Sequence, residues 1–268
     1  MIDGEHANPF SRREDNRERQ FKHVWVEELD DVFADVARYY DRANHVASLG
    51  LWSWFLDRFI ATIDCQPGHR VLDVCAGTNA IGLALLKRQP DLEVHAIDRS
   101  EAMQAVGQEN ARKLGFHINS TIGDVHTLPF PDNHFDIVTL QYASRHLRIM
   151  DVCGEIRRVL KPGGHFYHCD MLRPSNKVVE CGYYAYLRLC LNFTAALFRS
   201  SSAAHGCKKY FINTLRMFYS ADEFSTLLRD VGFEQVASET LLGGMIGFHK
   251  AMKPLGTRVA SVAEGARL

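Results

Sequence analysis

From residue 68 onward, short β-branched or apolar runs alternate with helical stretches, and this alternation limits the fold more than any other feature of the chain. In order they read "HRVLDVC", "IGLALLKRQ", "EVHAIDR", "EAMQAVGQENARKLG", "HINSTIG", "FDIVTLQ", "DVCGEIRRVL" and "GHFYHCDM". A strand followed by a helix, repeated, builds βαβ units and a mainly parallel sheet covered on both faces. "KPGG" at 161–164 ends one helix and feeds the next strand. The expected architecture is a single doubly wound, Rossmann-like α/β domain over residues 68–252. Ahead of it, "VFADVARYYDRANHVASLGLWSWFLDRF" carries apolar residues at helical spacing, which predicts a helical lid over 32–67, above the open end of the sheet.

The flanks read differently. Residues 1–31 are rich in charges of both signs and are expected to form a partly disordered tail, and 253–268 a flexible one. No apolar core segment stands in the opening residues, so no secretory leader is expected. Lys+Arg number 31 against Asp+Glu 32, which leaves no global field to hold nucleic acid or an anionic membrane. The seven cysteines (65, 75, 153, 169, 181, 190, 207) are scattered without CxxC spacing. That argues against a disulfide framework or a thiolate zinc site, and for a reducing compartment. The longest apolar run, 183–198, is interrupted by Arg188 and Asn192 and is too short to span a bilayer. Flanked by Lys177, Arg199, Lys208 and Lys209, it is either a helix lying in the headgroup plane or a buried lid helix.

In open α/β sheets a ligand sits beyond the carboxyl ends of the strands, so "VLDVCAGTNAIG" (71–82) marks the first place to look. Gly77 lies in the turn. Asp98, ending the second strand in "AIDRS" beside Arg99, can accept both ribose hydroxyls of an adenosine, and Asp124 in "GDVHTLPF" can receive an adenine amino group. The dinucleotide fingerprint G-x-G-x-x-G is missing, which disfavours NAD. Asp73 and Asp98 have a plainer alternative as caps or partners of backbone amides. Trp52, Trp54, Phe55 and Phe59 read first as lid core, and second as a stacking surface for a ring. Cys75 and Cys169 read as small buried hydrophobes.

"LPFPDNHFDIVT", "RVLKPGG", "LLRDVGFEQV" and "LLGGMIGFHK" resemble, in order, stretches of the class I S-adenosylmethionine-dependent methyltransferases, and within them the ubiquinone/menaquinone C-methyltransferases. "VFADVARYYDRANHVASLG" is similar to that family's amino-terminal lid, and the resemblance covers roughly residues 32–252. It implies cofactor contacts at Thr78, Asp98, Asp124, Val125 and Gln141, with Asp73, Ala76, Gly77, Asn79 and Arg99 beside them.

The chain departs from those relatives where they carry a turn ending in Gly-Thr-Gly: here it reads Cys75, Ala76, Gly77, Thr78, Asn79. A Cβ at 76 and an amide at 79 are expected to reposition the amino-acid end of the donor. After the fourth strand stands "LQYASRHL", and the fifth ends in "FYHCD", with His168 and Asp170 polar where an apolar strand is usual. "DVCAGTN", "YYDRANHVASLG" and "QYASRHL" together resemble the rhodoquinone biosynthesis proteins. That resemblance implies S-adenosylmethionine as donor of an amino group, a divalent metal such as manganese, and replacement of a ubiquinone ring methoxy by the amine. The expected catalytic residues are Tyr142, Arg145, His146 and Asn79. Two alternatives stand beside it: a C- or O-methyltransferase on a polyprenyl quinone, and an inactive S-adenosylmethionine-binding partner. A polyprenyl substrate further implies a cytoplasmic protein peripheral on the inner membrane face, or on the matrix side in a mitochondrion.

Overall fold

The structure is a computed structural model that describes residues 9–197 and 208–256. Strands β1 (Arg70–Val74), β2 (Glu93–Asp98), β3 (Asn119–Ile122), β4 (Phe135–Gln141), β5 (Leu160–Met171), β6 (Glu234–Leu241) and β7 (Ile246–Met252) form one sheet in the order β3-β2-β1-β4-β5-β7-β6. The first five are parallel, and β7 runs antiparallel to both β5 and β6. β1 and β4 are buried along nearly their whole length, as strands covered on both faces must be. Helices α5 (Ala80–Arg88), α6 (Glu101–Leu114) and α7 (Ile149–Val159) cross between the parallel strands. The chain order reverses between β1 and β4, which opens a crevice at their carboxyl ends.

Over that crevice lie α2 (Leu29–Val36), α3 (Tyr40–Ala47) and α4 (Trp52–Thr62), the expected lid, joined by α8 (Lys177–Leu197) and α9 (Lys208–Met217); α10 (Ala221–Asp230) backs β6 and β7. Phe55 and Phe59 pack into the core with Ile81, Leu85 and Phe248, whereas Trp54 is exposed.

The expected amino-terminal tail is a correction. Pro9–His23 is a helix, α1, continued by a π-helical turn, Val24–Glu28. Its inner face buries Glu14, Arg17 and Phe21. With Phe10 these fall at i, i+4, i+7 and i+11, a helical spacing that the surrounding charges conceal. Residues 1–8 and 257–268 lie outside the described residues. The described start of the carboxyl tail is pinned: Lys253 exchanges backbone hydrogen bonds with Gly163 and Gly164, and its ammonium reaches the Leu160 carbonyl at 2.7 Å. Among the described residues no helix is long and apolar enough to cross a membrane.

Candidate active site

The turn leaving β1 is held from one side by Asp98. Its Oδ2 accepts the Gly77 amide at 2.8 Å and its Oδ1 the Ser100 amide at 2.9 Å, so the amide-binding alternative is real, and burial raises its pKa. Asp98 nonetheless lines the cleft, together with Asp73, Cys75, Ala76, Gly77, Thr78, Arg99 and Gln141. A carboxylate oxygen carries more than one acceptor site, so the two amides do not exhaust it. Gly77 sits at φ +52, and a Cβ there would come within 3.2 Å of Met103. Asp73 is buried, with Oδ1 accepting the Thr139 hydroxyl at 2.7 Å; burial, opposed by that bond, pushes it up to about 7. Its Oδ2 and the Gln141 Nε2 are buried without a hydrogen-bond partner, which is how a polar cleft built for a ligand looks when its own side chains do not satisfy one another.

Lid and sheet meet across this cleft. Thr78 donates to Asp41 of α3 at 3.0 Å. Arg99 reaches the Trp25 carbonyl at 2.7 Å and Asp30 at 2.6 Å. Asp124 and Val125 line not this cleft but a groove of about 310 Å³ next to it, and Cys75, Arg99, His146 and Leu147 are common to both. The Asp124 side chain is largely exposed and accepts the His126 amide.

Asn79 is the second correction. It holds the left-handed conformation (φ 61, ψ 27) at the N-terminus of α5, where glycine is the default and asparagine a tolerated substitute. Its side chain turns away from the cleft into the sheet-facing side of α6. Oδ1 accepts from Gln104 at 3.0 Å, and a Cβ on Gly107 would stand 2.6 Å from its Nδ2. Asn79 is not among the residues that line the cleft.

A second, apolar cavity of about 430 Å³ adjoins the cleft, and Phe33, Tyr40, Trp52 and Tyr142 line both. Leu187 and Leu191 of α8, Phe211, Ile212 and Leu215 of α9, and Met245 line it further on. Tyr142, at φ 55, stacks on Trp52 with ring centres 5.1 Å apart, and burial holds its hydroxyl far above the ordinary range. Arg145 lines the apolar cavity, and its Nη1 donates to Asp170 at 2.9 Å and to the Tyr142 carbonyl at 2.9 Å. His146 lines the cleft; burial first, then the charges of Arg145 and Arg17, drive it well below the usual range. Its Nε2 is buried and unpartnered. Three of the four expected catalytic residues are therefore brought together at the junction of the two cavities.

The polar residues of β5 explain how this turn is held. Asp170 also accepts the Ser144 amide at 2.8 Å. His249 Nε2 lies 3.1 Å from the Ala221 carbonyl, which can only accept, so that nitrogen carries the proton. His249 Nδ1 then accepts from His168 Nδ1 at 3.2 Å, leaving His168 Nε2 to accept the Ser144 hydroxyl at 2.7 Å. Both rings are neutral on this pattern, in keeping with burial lowering both. Cys169 between them is wholly buried. Sequence reasoning missed Tyr40, Asp41, Ser144 and His249. The first two stood inside "YYDRAN" and Ser144 inside "QYASRHL", whereas His249, within "LLGGMIGFHK", carries no local signal of its role. No group of three His, Cys, Asp or Glu side chains among the described residues is arranged to hold a metal ion, so the expected divalent metal has no ready ligand set and no step is routed through one.

Residues 21–253 match the ubiE/COQ5 methyltransferase family. The chain is 30% identical over 228 residues to a ubiquinone/menaquinone biosynthesis C-methyltransferase UbiE of Dinoroseobacter shibae, covering 84% of this chain and 90% of that one. It is 32% identical over 233 residues to a demethylmenaquinone methyltransferase of Anoxybacillus flavithermus, covering 86% and 97%. Among solved structures, a SAM-dependent methyltransferase from Aquifex aeolicus superposes with a TM-score of 0.53 at 20% identity, covering 74% of this chain and 88% of that one. Haemonchus contortus phosphoethanolamine N-methyltransferase 2 in complex with S-adenosyl-L-methionine gives 0.55 at 16%, covering 76% and 53%. The cleft, the sheet order and these matches agree: the chain belongs to the ubiE/COQ5 methyltransferase family, with the fold of the class I S-adenosylmethionine-dependent methyltransferases.

Proposed function

We propose that this protein is an S-adenosylmethionine-dependent transferase acting on the ring of a polyprenyl quinone, and that the group moved is the donor's amine: a ring carbon–nitrogen bond forms as a ring methoxy of ubiquinone leaves as methanol with one amine proton, and the donor's Cα–N bond then breaks by elimination, its β-proton passing to the nitrogen and the rest of the donor leaving as an unsaturated carboxylate. The observation that carries the substrate class is the apolar cavity opening onto the cofactor cleft between Phe33, Tyr40, Trp52 and Tyr142. The amine reading is supported by the resemblance of "DVCAGTN" and "QYASRHL" to the rhodoquinone biosynthesis proteins, and by Ala76, which lines the cleft within the turn that departs from the methyltransferase pattern. The departure at Asn79 no longer contributes to it. The second reading, transfer of a methyl to a ring carbon, is favoured by the relatives, a ubiquinone/menaquinone biosynthesis C-methyltransferase and a demethylmenaquinone methyltransferase.

Asp98 holds the turn that faces the donor, and when bound the donor supplies the group to be transferred. His146, neutral and with Nε2 unpartnered, is the proton acceptor an attacking amine needs. The Tyr142 hydroxyl, kept protonated, and the Arg145 guanidinium are the donors available to a quinone carbonyl. Exposed Leu49, Leu51 and Leu242 line the outer part of the apolar cavity, and Leu189 and Phe193 stand exposed on α8. This lip supports a peripheral seat on the cytoplasmic face of the inner membrane, or on the matrix face of a mitochondrion.

The test is incubation with a short-tailed ubiquinone, manganese and S-adenosylmethionine labelled with nitrogen-15 at the amine and deuterium at the methyl. A nitrogen-15 aminoquinone is the expected product by mass spectrometry. A deuteromethylated quinone instead establishes the second reading, and no labelled quinone of either kind overturns both.

A further inference from the structure

Arg17 of α1 is wholly buried. One guanidinium nitrogen donates to the main-chain carbonyl of Arg145 at 2.8 Å. The other pairs with Glu14, whose same oxygen accepts the Tyr219 hydroxyl at 2.8 Å. The guanidinium carbon stands 4.9 Å from the centre of the Phe218 ring and 5.6 Å from that of Trp25. One turn further along α1, Phe21 meets Tyr210 of α9 edge-on at 5.6 Å. The Tyr210 hydroxyl in turn lies 2.5 Å from His146 Nδ1, with the two rings stacked at 5.4 Å. The helix therefore reaches two consecutive residues of the site by separate routes, Arg17 to Arg145 and Phe21 through Tyr210 to His146.

Stability alone does not explain an arginine in this place. Desolvating a guanidinium and a carboxylate costs several kcal/mol for each ion, and a well-packed apolar pair often serves the fold as well or better. An apolar pair cannot donate to a carbonyl. The bond to Arg145 fixes the peptide from which the Arg145 side chain reaches Asp170, and the charge of Arg17 bears on the ring of His146. Arg17 lies ahead of the matched residues 21–253.

We propose that α1 is a strap whose Arg17, together with Tyr210, is a positioning residue: it holds Arg145 and His146 in the geometry and tautomer that the transfer requires. The proposal rests on the reading of His146 as proton acceptor. Around the His146 ring stand Arg145 on its own turn, Arg17 from α1, Phe33 from α2, and Tyr210 and Phe211 from α9. The charged groups among them are the two arginines. The Tyr210 hydroxyl occupies Nδ1, and by accepting the Nδ1 proton it would leave Nε2 bare toward the cleft.

Two variants test this without gross loss of packing. Tyr210→Phe removes one oxygen, and Glu14→Gln with Arg17→Met removes the ion pair while keeping its volume. The first measurement needs no turnover: nitrogen-15 spectra of histidine-labelled protein, with the His146 signals assigned by their loss in His146→Gln. In the unaltered protein His146 should remain neutral and in a single tautomer below the pH at which an exposed histidine titrates. Tyr210→Phe should give a mixture of tautomers. The double variant should shift the titration of His146 upward, because it removes the Arg17 charge that bears on the ring, although the paired Glu14 charge goes with it.

In the second measurement, both variants should lower kcat on the short-tailed quinone at least tenfold, with KM and cofactor affinity within about threefold of the unaltered protein. The acid limb of the double variant's rate profile should move to higher pH with the His146 titration. Unchanged His146 tautomer and titration in both variants overturn the strap. So does a loss of rate that merely follows a loss of folded protein in the melting curve. If the spectra change as expected but the unaltered protein turns over no quinone, it is the proposed function that fails.

Discussion

Two turns leave the carboxyl ends of adjacent strands, residues 74–79 after β1 and 141–146 after β4, and they are held in opposite ways. Each forces residues other than glycine into the left-handed region: Cys75 and Asn79 in the first, Tyr142 in the second. The first is satisfied mainly by its nearest neighbours in the fold, Asp98 at the end of β2 and Gln104 and Gly107 on the following helix, with one bond from Thr78 to Asp41 of the lid helix α3. The second is held by groups from the far reaches of the chain: Asp170 and His168 on β5, His249 on β7, Tyr210 on α9 and Arg17 on α1. The cofactor half is thus largely a property of one βαβ unit. The acceptor half exists only when the whole chain has closed around it.

The largest effect that tests this contrast falls on the cofactor half. Asp98→Ala strips two backbone amides of their acceptor and removes the charge from the cleft, losing charge-assisted hydrogen bonds worth roughly 1.5–3 kcal/mol each. Calorimetric titration should show S-adenosylmethionine affinity reduced at least tenfold, while the adjoining acceptor cavity keeps its shape. An unchanged dissociation constant would mean that Asp98 serves the backbone alone.

How much could be read in advance follows the same division. The sheet, the crevice and the places of Gly77 and Asp98 beside it were legible because a parallel βαβ unit writes its ligand turn into one short stretch of sequence, whereas Asp73, Thr78 and Gln141, which also line the cleft, came from the family resemblance. Tyr142, Arg145 and His146 were legible as candidates only, since no local pattern says what holds them. Arg17 was hidden altogether. A helix whose buried face carries Glu14 and Arg17 between Phe10 and Phe21 has the composition of a solvated tail, and only the tertiary cage of Phe218, Tyr219 and Trp25 makes it an inner helix. Asn79 was misread for a related reason: a positive φ explains why asparagine is tolerated there, but which way its amide points depends on the missing Cβ of Gly107 one helix away.

Helix α8 sharpens the comparison at intermediate magnitude, because its two faces do different things. Leu187 lines the apolar cavity, and Leu189 is 68% exposed on the outside. Leu187→Glu places an unpaired carboxylate where the quinone ring or the start of its tail should lie, at a desolvation cost that opposes binding. Turnover of the short-tailed quinone should fall about tenfold with cofactor affinity unchanged. Leu189→Glu should leave that turnover intact and weaken sedimentation with anionic liposomes. If Leu189→Glu impairs short-tailed turnover as much as Leu187→Glu does, the helix is an ordinary wall and the lipid-facing lip is wrong.

The smallest effect addresses the residue that first set this chain apart. With Asn79 wedged against Gly107, Gly107→Ala must overpack the contact between α5 and α6, at a cost of about 1–3 kcal/mol in urea unfolding. Asn79→Gly should be nearly neutral by itself: relief of the left-handed strain, roughly 1–2 kcal/mol, offsets the lost bond to Gln104, about 1 kcal/mol. Combined, the two substitutions should restore most of the stability lost to Gly107→Ala, a coupling of at least about 1 kcal/mol in a double-mutant cycle. Cofactor affinity should stay within about threefold throughout, because the Asn79 amide points into α6 and not into the cleft. Additive losses in the cycle, together with a marked loss of S-adenosylmethionine affinity in Asn79→Gly, would show the amide facing the donor after all. Asn79 would then belong to the cofactor half as a residue that touches the donor.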